Sequence, residues 1–473
     1  MTDSDYIELR AHSSYSLLRG TALSGALLTE ACRLGMVGLA LTDHNNVYGA
    51  VEFQRTGQAL GIQAILGAEL TLEHDLALPL LVANETGWKN LCWLITQAQH
   101  QAPKGEGLLR FEQLEGRTDG LIALSGGCEG EIARDLETEG VEAAGQAAAR
   151  YVAMFGTDRF WIELHHHRRP YDDQRVAALV GLADSLKLGY VATNHVHYLK
   201  SEDKPLSDVV TAIRHNRSLD NVQSHLFPNG QYYLKSLAAM QELFHRHPRT
   251  LENTIRIAKQ CPYQLPSQLQ ELPRYPVPAG MTAQAYLSRM CCHSERYKPH
   301  MESRLQHELD IIEATGLANY FLVVWDIVRF AWKNGIRCQG RGSAANSLVA
   351  YLLKIAPVDP IEHQLVFERF LSPERQMAPD IDMDFDADRR EEVIQYLYDK
   401  YGRTHAAMAC TFVTYRHRSV IRDVAKAWGL APSSLPFLKD QWEVRTTAAN
   451  KLPPPVQPMM DPPCLTNIPA SRK

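Results

Sequence analysis

Short apolar blocks alternate with helical periodicity along residues 1–265. The apolar blocks are typical of short buried strands, and they occupy residues 6–10, 38–42, 64–68, 120–125, 160–162 and 189–193. Apolar side chains at helical spacing fill parts of the intervals, at residues 24–34, 87–99 and 141–155. Strands that alternate with helices indicate an α/β fold with parallel strands, either a βα barrel or a doubly wound sheet.

Histidines and acidic residues gather where these strands end. The carboxyl ends of the strands in such folds form one common edge, so residues that follow the strands are expected to meet there. These residues are His12, Asp43, His44, Glu69, Glu163, His165, His166, His167, His195 and His197. A single histidine is more often a core or surface residue, but five such strand ends indicate metal-ligand chemistry.

Strict alternation of polar and apolar residues marks residues 379–386. The two alternating sets are Asp380, Asp382, Asp384 and Asp386, and Ile381, Met383 and Phe385. Side chains alternate between the faces of a strand, so the carboxylates share one face at a spacing of about 6.6 Å. Two divalent cations on such a face would drive phosphoryl or nucleotidyl transfer. A half-buried strand with a wet acidic face would give the same pattern.

A glycine-rich segment precedes this strand. Gly340-Arg341-Gly342-Ser343 leads into an apolar helical run at residues 348–355, and a helix at residues 320–333 leads into the loop. Backbone N–H groups and the positive end of a helix dipole at one place bind phosphate. The Gly-Lys-Ser/Thr of a Walker A loop is missing. A simple turn with an N-cap explains the segment equally well until the acidic strand is considered with it.

The amino-acid composition indicates a folded protein of several domains and argues against several other classes of protein. The chain has 473 residues, 22% charged and 45% hydrophobic, which predicts two or three folded domains and excludes bulk disorder. The net charge of −5 argues against indiscriminate coating of nucleic acid but permits a local basic groove. Nine cysteines without Cys-x-x-Cys spacing suggest neither a zinc ribbon nor a disulfide framework. The polar start of the chain favours the cytoplasm.

The loop and the acidic strand resemble the palm of the bacterial DNA polymerase III alpha subunit (family C). The similar motifs are Gly340-Arg341-Gly342-Ser343 and residues 366–371, 379–385, 389–396 and 401–403. The resemblance implies that Asp382 and Asp384 hold two Mg²⁺ ions and that Gly342 and Ser343 contact the phosphates of the incoming nucleotide. The implied partners are primer–template DNA, deoxynucleoside triphosphates, a sliding clamp and other replisome subunits. Residues 338–347 are especially similar to the error-prone branch.

The first part of the chain is similar to the polymerase-and-histidinol-phosphatase (PHP) domain that begins family C alpha subunits. This domain is a distorted βα barrel that binds up to three metal ions. The resemblance implies metal ligands at His12, His44, Glu69, His167 and His197, with Asp43 beside His44. Zn²⁺, Mn²⁺ or Fe is the expected ion.

Four departures from the PHP pattern predict weakened metal loading. The opening His-x-His is matched to His12-Ser13-Ser14, and Arg19 stands where an acid is expected. The Ser-Gly-Cys motif becomes Ser-Gly-Gly at residues 125–127, and Asp-x-His becomes His-Val-His at residues 195–197. The fixed charge of an arginine opposes a neighbouring cation. We therefore expect a barrel that is chiefly structural.

The domain organisation follows from these matches and from proline content. We expect a PHP-like domain at 1–265, a proline-rich linker at 266–282, the first part of a palm at 283–410 and the start of a helical thumb at 411–440. Residues 441–473 are rich in proline and are expected to be a disordered or out-of-frame tail. Family members are longer and carry a third catalytic aspartate on a later palm strand. This chain is therefore expected to be the front portion of a polymerase, with an incomplete polymerase site that is inactive alone.

Two functions remain open at this point. The first is DNA-directed DNA polymerase activity, adding deoxynucleotides to a primer 3′-OH in DNA replication or damage tolerance. The alternative is a PHP-type metal-dependent phosphoesterase or 3′–5′ exonuclease, with the palm segment as a passenger.

Overall fold

The computed structural model describes most of the chain before residue 437. The described residues are 6–103, 105–266, 273–371, 380–402, 405–409, 411–431, 433 and 435–436. The predicted tail at 441–473 and Pro379 lie outside them. The chain divides into two compact units, which are described separately: one comprises residues 1–265 and those from 414 onward, and the other comprises residues 266–413.

A seven-stranded sheet forms the centre of the first unit. Its strands are β1 (Glu8–Ala11), β2 (Gly38–Leu41), β3 (Gln63–Leu72), β4 (Leu76–Val82), β5 (Leu121–Leu124), β6 (Phe160–Leu164) and β7 (Gly189–Ala192). Their order in space follows their order in the chain. A parallel bridge joins Ala11 to Val196, just past β7, and His12 N donates to Val196 O at 2.8 Å. The sheet therefore curls on itself, which confirms the predicted distorted barrel.

The six predicted strands run parallel, and an additional strand that was not predicted, β4, runs against them. This strand pairs antiparallel with both β3 and β5, while β1–β2–β3 and β5–β6–β7 are parallel. A tight turn causes the reversal, because His74 and Asp75 adopt φ of 64° and 57° between β3 and β4. The sequence pattern missed β4 because its apolar run shows no alternation and contains Pro79.

Helices cover the outside of this barrel. They are α1 (Ser24–Arg33), α2 (Ala50–Leu60), α3 (Glu85–Gln101), α4 (Glu131–Thr138), α5 (Val141–Phe155), α6 (Asp172–Leu186), α7 (Lys204–Arg214), α8 (Leu237–Leu243) and α9 (Arg249–Lys259). Leu39 and Leu41 of β2 pack in one apolar cluster with Leu27 and Phe53 of the helices. Ala40 of the same strand packs in a second cluster, so both faces of the sheet are buried, as a barrel requires.

The second unit is built from helices and one two-stranded ribbon. Its elements are α10 (Ala283–Cys292), α11 (Glu302–Ala314), α12 (Ala318–Lys333), β8 (Cys338–Arg341), α13 (Leu348–Leu352), β9 (Asp382–Phe385) and α14 (Arg390–Tyr401). Leu305, Phe321, Leu348, Phe370 and Ile381 share its apolar core. This packing fixes the ribbon on the helices.

A further helix, α15 (His417–Ala427), belongs to the first unit. Ala427 packs there with Ala212 of α7 and with Val222. Among the described residues, no single helix is long and apolar enough to cross a membrane. The pair Pro299–Ala314 and Ala318–Lys333, bent by 113°, passes that test jointly, by length and composition alone.

Candidate metal and phosphate sites

Strand register brings arginines and aspartates together on the ribbon. β8 and β9 run antiparallel, with Arg341 opposite Asp382 and Gln339 opposite Asp384. Asp386 N donates to Arg337 O at 3.0 Å, which continues the pairing one step further. Since side chains alternate between faces, these six residues share one face of the ribbon.

The opposite face of β9 is apolar, as the alternation predicts. Ile381 is buried in the core of the second unit and Met383 packs against it. Phe385 packs with Ile336 and Val393 in a neighbouring cluster. The strand is shorter than the predicted 379–386, but the two faces predicted for it are confirmed over the described residues.

Arg341 partly neutralises the acidic face. Its Nε lies 3.1 Å from Asp384 Oδ1 and its Nη2 lies 3.9 Å from Asp382 Oδ2. The three side chains are 45–60% exposed, so each ion pair contributes about 0–1 kcal/mol. A divalent cation could therefore displace the guanidinium at little cost.

The glycine loop lies directly beside Asp382. Gly342 has φ of 68°, a conformation that a residue with a side chain adopts only with strain, and it opens a 3₁₀ helix, Gly342–Asn346. A Cβ atom added to Gly342 would lie 3.6 Å from Asp382 Oδ2. Gly342, Asp382 and Asp384 are thus brought together, and Ser343 follows in the same loop.

The predicted phosphate site at the start of α13 is wrong, because a buried carboxylate fills it. Glu308 of α11 accepts hydrogen bonds from Leu348 N at 3.0 Å and Val349 N at 3.1 Å. Ser347 Oγ donates to Glu308 at 2.9 Å and accepts from Ala350 N at 3.1 Å. The amides of this helix start are satisfied internally. The glycine loop before it remains the candidate anion site.

The barrel site is organised by an arginine. The side chain of Arg10 is fully buried, and its Nη2 donates to Glu69 Oε2 at 2.6 Å and to Glu129 Oε2 at 3.1 Å. Its Nη1 donates to Glu163 Oε2 at 3.1 Å and to Gly126 O at 3.0 Å. Burial raises the pKa of Glu163, but the charges of Arg10 and His165 outweigh it and lower that pKa to about 2.

Three buried histidines form a compact group beside this arginine. The ligand atoms of His12, His195 and His197 lie within 4.8 Å of one another. His197 Nε2 lies 2.9 Å from His195 Nε2, and His12 Nε2 lies 3.2 Å from Glu69 Oε2. Burial, aided by the charges of Arg10 and His12, lowers the pKa of His195 and His197 well below the usual value. Both imidazoles are therefore neutral, the form that binds metal.

The remaining predicted ligands are placed differently. His44 Nδ1 lies 3.3 Å from Glu69 Oε1, outside the three-histidine group. His167 Nε2 lies 3.0 Å from Asn194 O, and its ring stacks on Tyr232 with centroids 3.9 Å apart. Of the predicted set, His12, Glu69 and His197 come together and His167 does not join them. His195, the first residue of the His-Val-His motif, does join them.

Asp43 supports the turn that carries His12. It accepts from Ser13 N at 2.7 Å and from Ser16 Oγ at 2.6 Å, and Ser16 Oγ lies 3.3 Å from His12 Nδ1. The carboxylate thus orients His12 through Ser16.

The barrel residues fit one metal ion and do not fit three. His197 Nδ1 is a buried atom without a hydrogen-bond partner among the described residues, as expected of an atom that can bind an ion. The Arg10 guanidinium, however, takes the oxygens of Glu69, Glu129 and Glu163 that further ions would need. Arg19 adds a second arginine that interacts electrostatically with Glu69 and Glu129.

Arg10 was missed by the sequence analysis, although a signal was present. Alternation along β1 places Glu8, Arg10 and His12 on one face, and all three are buried. Arg10 therefore lies on the same face of the strand as His12, two residues before it, which places a fixed positive charge in the candidate site.

The ribbon residues fit Mg²⁺, which prefers oxygen ligands and near-octahedral geometry. Asp382 and Asp384 offer carboxylate oxygens on a half-exposed face that leaves room for water and phosphate oxygens. Such a donor set suits an ion that is completed by substrate.

Comparison with known proteins finds two family models that match the chain. Residues 8–167 match the model of the PHP domain, and residues 279–453 match that of the bacterial DNA polymerase III alpha NTPase domain. An error-prone DNA polymerase of Symbiobacterium thermophilum is 42% identical over 454 residues, covering 92% of this chain and 42% of the relative. An error-prone DNA polymerase from Mycobacterium tuberculosis strain H37Rv is 40% identical over 457 residues. The match covers 92% of this chain and 41% of the relative.

A solved structure is also similar to the chain. It comes from Bifidobacterium adolescentis and is provisionally described as a metal-dependent phosphoesterase; it is 12% identical and covers 51% of this chain and 96% of its own. Its TM-score is 0.32, so no argument rests on it. The chain spans about two fifths of the length of the curated relatives it matches. The chain therefore combines a region that matches the PHP family model with a region that matches the model of the bacterial DNA polymerase III alpha NTPase domain.

Proposed function

We propose that the chain takes part in template-directed DNA synthesis, adding deoxynucleotides to a primer 3′-OH at the ribbon of its second unit. The observation that supports this most strongly is the register of β8 and β9, which sets Gly342 beside Asp382. Phosphate-binding backbone and metal-binding carboxylates are thereby adjacent, as nucleotidyl transfer requires. The relatives are named error-prone DNA polymerases, which favours synthesis across damaged templates.

Each residue has a distinct part in this proposal. Mg²⁺ ions, when bound, lower the barrier for attack of the primer hydroxyl on the α-phosphate. Asp382 and Asp384 hold the ions. Gly342, lacking a side chain, lets the triphosphate approach the backbone, and Ser343 offers a hydroxyl and an amide. Arg341 swings from the carboxylates to the phosphates as the ions enter.

The finer assignments belong to the same proposal. Mg²⁺ is the expected ion because the ribbon offers only oxygen ligands. Primer–template DNA and deoxynucleoside triphosphates are the substrates, and a sliding clamp and other replisome subunits are the partners. The cytoplasm is the proposed location, since the DNA is there. The domain division into 1–265, 266–282, 283–410 and 411–440 is proposed with it.

Primer extension by the full chain tests the proposal. Asp382→Asn and Asp384→Asn should each lower the rate on the order of a thousandfold, since each removes a metal ligand. Asp388→Asn, at an exposed position just past the ribbon, is the matched control and should keep wild-type activity. Asn variants as active as wild type would contradict the proposal. For a chain that extends no primer alone, triphosphate-dependent metal binding by the same variants is the readout, and unchanged binding would contradict the proposal.

A PHP-type phosphoesterase or 3′–5′ exonuclease is the second candidate. The group of His12, His195 and His197 favours it, because it fits one metal ion. Hydrolysis of a 3′-labelled single strand in Mn²⁺ distinguishes the two. His197→Ala should abolish hydrolysis and spare primer extension if the barrel is active, and Asp384→Ala should do the reverse.

A further inference from the structure

A groove of about 600 Å³ flanks the start of β8 in the second unit. Its lining includes Trp332, Arg337, Gln339, Asp384 and Asp386. Of these, only Asp384 has a part in the proposed chemistry. The groove therefore holds an aromatic ring, a cation and a side-chain amide immediately next to the carboxylate that would hold metal.

The order of the residues along the ribbon shows on which side of the carboxylates the groove lies. From one end to the other, the ribbon carries the Gly342 loop, then Asp382 opposite Arg341, then Asp384 opposite Gln339, then Arg337 beside Asp386. The carboxylates thus lie between the phosphate loop and the groove. Five residue steps separate Arg337 from Gly342, about 16 Å along an extended strand.

Reaction geometry then distinguishes the two ends. Nucleotidyl transfer is an in-line displacement, in which the attacking oxygen and the leaving pyrophosphate lie on opposite sides of the α-phosphate. With the leaving phosphates at the Gly342 loop, the attacking 3′-OH must approach from the groove side. This step rests on the proposed function.

We propose that the groove binds the 3′-terminal nucleotide of the primer, with Arg337 on its phosphodiester and Trp332 against its sugar and base. The Arg337 side chain is 93% exposed, and its nearest carboxylate oxygen, on Asp386, is 3.8 Å away. Trp332 is 50% exposed, and Lys354, which pairs with Glu295, has its Nζ 5.2 Å from the ring centroid. Aromatic rings stack on any base, which suits a primer end of any sequence.

The test uses the full chain and a primer–template duplex with 2-aminopurine at the primer 3′ terminus, in Ca²⁺ to prevent extension. Wild type should change the 2-aminopurine fluorescence on binding. Trp332→Ala should remove most of that change and weaken binding about tenfold. Arg337→Ala should weaken binding and reduce the dependence of affinity on salt by about one phosphate contact.

Matched controls separate the groove from general effects. Trp428→Ala removes an exposed tryptophan of the other unit, and Lys298→Ala removes an exposed cation of the same unit; both should behave as wild type. The same variants are titrated with a free deoxynucleoside triphosphate in place of the duplex. Trp332→Ala should leave triphosphate binding within about twofold of wild type.

The outcomes distinguish the groove from the wider proposal. Wild type that binds no duplex contradicts the proposed function, and the groove assignment with it. Wild type that binds, with Trp332→Ala and Arg337→Ala unchanged, overturns the groove assignment alone. If Trp332→Ala and Arg337→Ala lose triphosphate binding but keep duplex binding, the groove is a site for the incoming nucleotide. That result also overturns the assignment of the groove to the primer end.

Discussion

The guanidinium of Arg10 donates to the carboxylate of Glu69 at 2.6 Å, deep inside the barrel and next to the group of His12, His195 and His197. The same guanidinium reaches Glu129 and Glu163, so one fixed positive charge serves three carboxylates. This arrangement stabilises the acidic barrel interior without an ion. These carboxylates are thus neutralised in part by a residue of the chain itself.

Removing Arg10 should destabilise the first unit strongly. Arg10→Ala leaves buried carboxylates without a counter-charge, and such losses cost about 3–5 kcal/mol. Urea unfolding followed by the near-UV signal of the barrel measures the change. Arg33→Ala is the control, since Arg33 is 65% exposed and pairs with Glu30 on the surface. It should cost at most about 1 kcal/mol; equal effects of the two changes would refute the structural role of Arg10.

The chain should bind one transition-metal ion in the barrel rather than three. After saturation with Zn²⁺ and dialysis, metal analysis should find about one tightly held ion per chain, because three imidazoles suffice for one tetrahedral site with water. His195→Ala and His197→Ala should each lose it. His166→Ala is the matched control, because His166 lies outside the group and pairs with Asp173. Three retained ions in the wild type would contradict the part assigned to Arg10.

The buried carboxyl of Glu8 predicts a pH dependence of stability. Burial, with a smaller effect of Glu163, raises the pKa of Glu8 from 4.5 to about 7 in the folded chain, against the hydrogen bonds from Tyr6, Arg10 N and Asn194 N. A group with a raised folded pKa contributes stability that is full below the unfolded value and is lost as pH rises through the folded value. The contribution of Glu8 to the free energy of unfolding should therefore decrease as the pH rises from 4.5 to 7.

Comparison with Glu8→Gln isolates this contribution. The wild-type free energy of unfolding should fall relative to that of the variant by at most about 3 kcal/mol across that window. A constant offset from altered hydrogen bonds does not affect the slope. Parallel pH profiles of the two proteins would show that Glu8 is ionised normally.

Glu308 should control the order of the turn that follows the glycine loop. Glu308→Gln replaces a carboxylate that accepts from Leu348 N, Val349 N and Ser347 Oγ, and an amide cannot accept all three in the same geometry. Hydrogen exchange at residues 342–350 should accelerate, and stability should fall by about 1–3 kcal/mol. Glu313→Gln, at an exposed position on the same helix, is the control. Unchanged exchange in Glu308→Gln would contradict the capping role.

Local sequence patterns predicted the positions of helices and strands better than the direction in which the strands pair. Alternation at β9 and apolar spacing at α5 or α12 are properties of one segment, so they could be predicted from that segment alone. The direction of β4 depends on a turn at His74 and Asp75 that the strand itself does not encode. The strand ends predicted the barrel site because topology alone brings them to one edge.

Long-range contacts account for what the sequence analysis missed. Glu308 lies about forty residues before the amides that it caps, and no local pattern links a helical glutamate to a distant helix start. Arg10 looked like an ordinary strand residue until the structure placed it among Glu69, Glu129 and Glu163, which come from three other parts of the chain. Charge pairing of this kind is a tertiary property.

Triphosphate-dependent Mn²⁺ binding, followed by electron paramagnetic resonance, tests most directly that the ribbon assembles metal and triphosphate. With a deoxynucleoside triphosphate present, the wild-type chain should bind Mn²⁺ beyond what the barrel and the free triphosphate hold. The Asp382→Asn/Asp384→Asn double variant should lose this extra binding and keep the barrel ion. Extra Mn²⁺ that persists in the double variant would contradict the account.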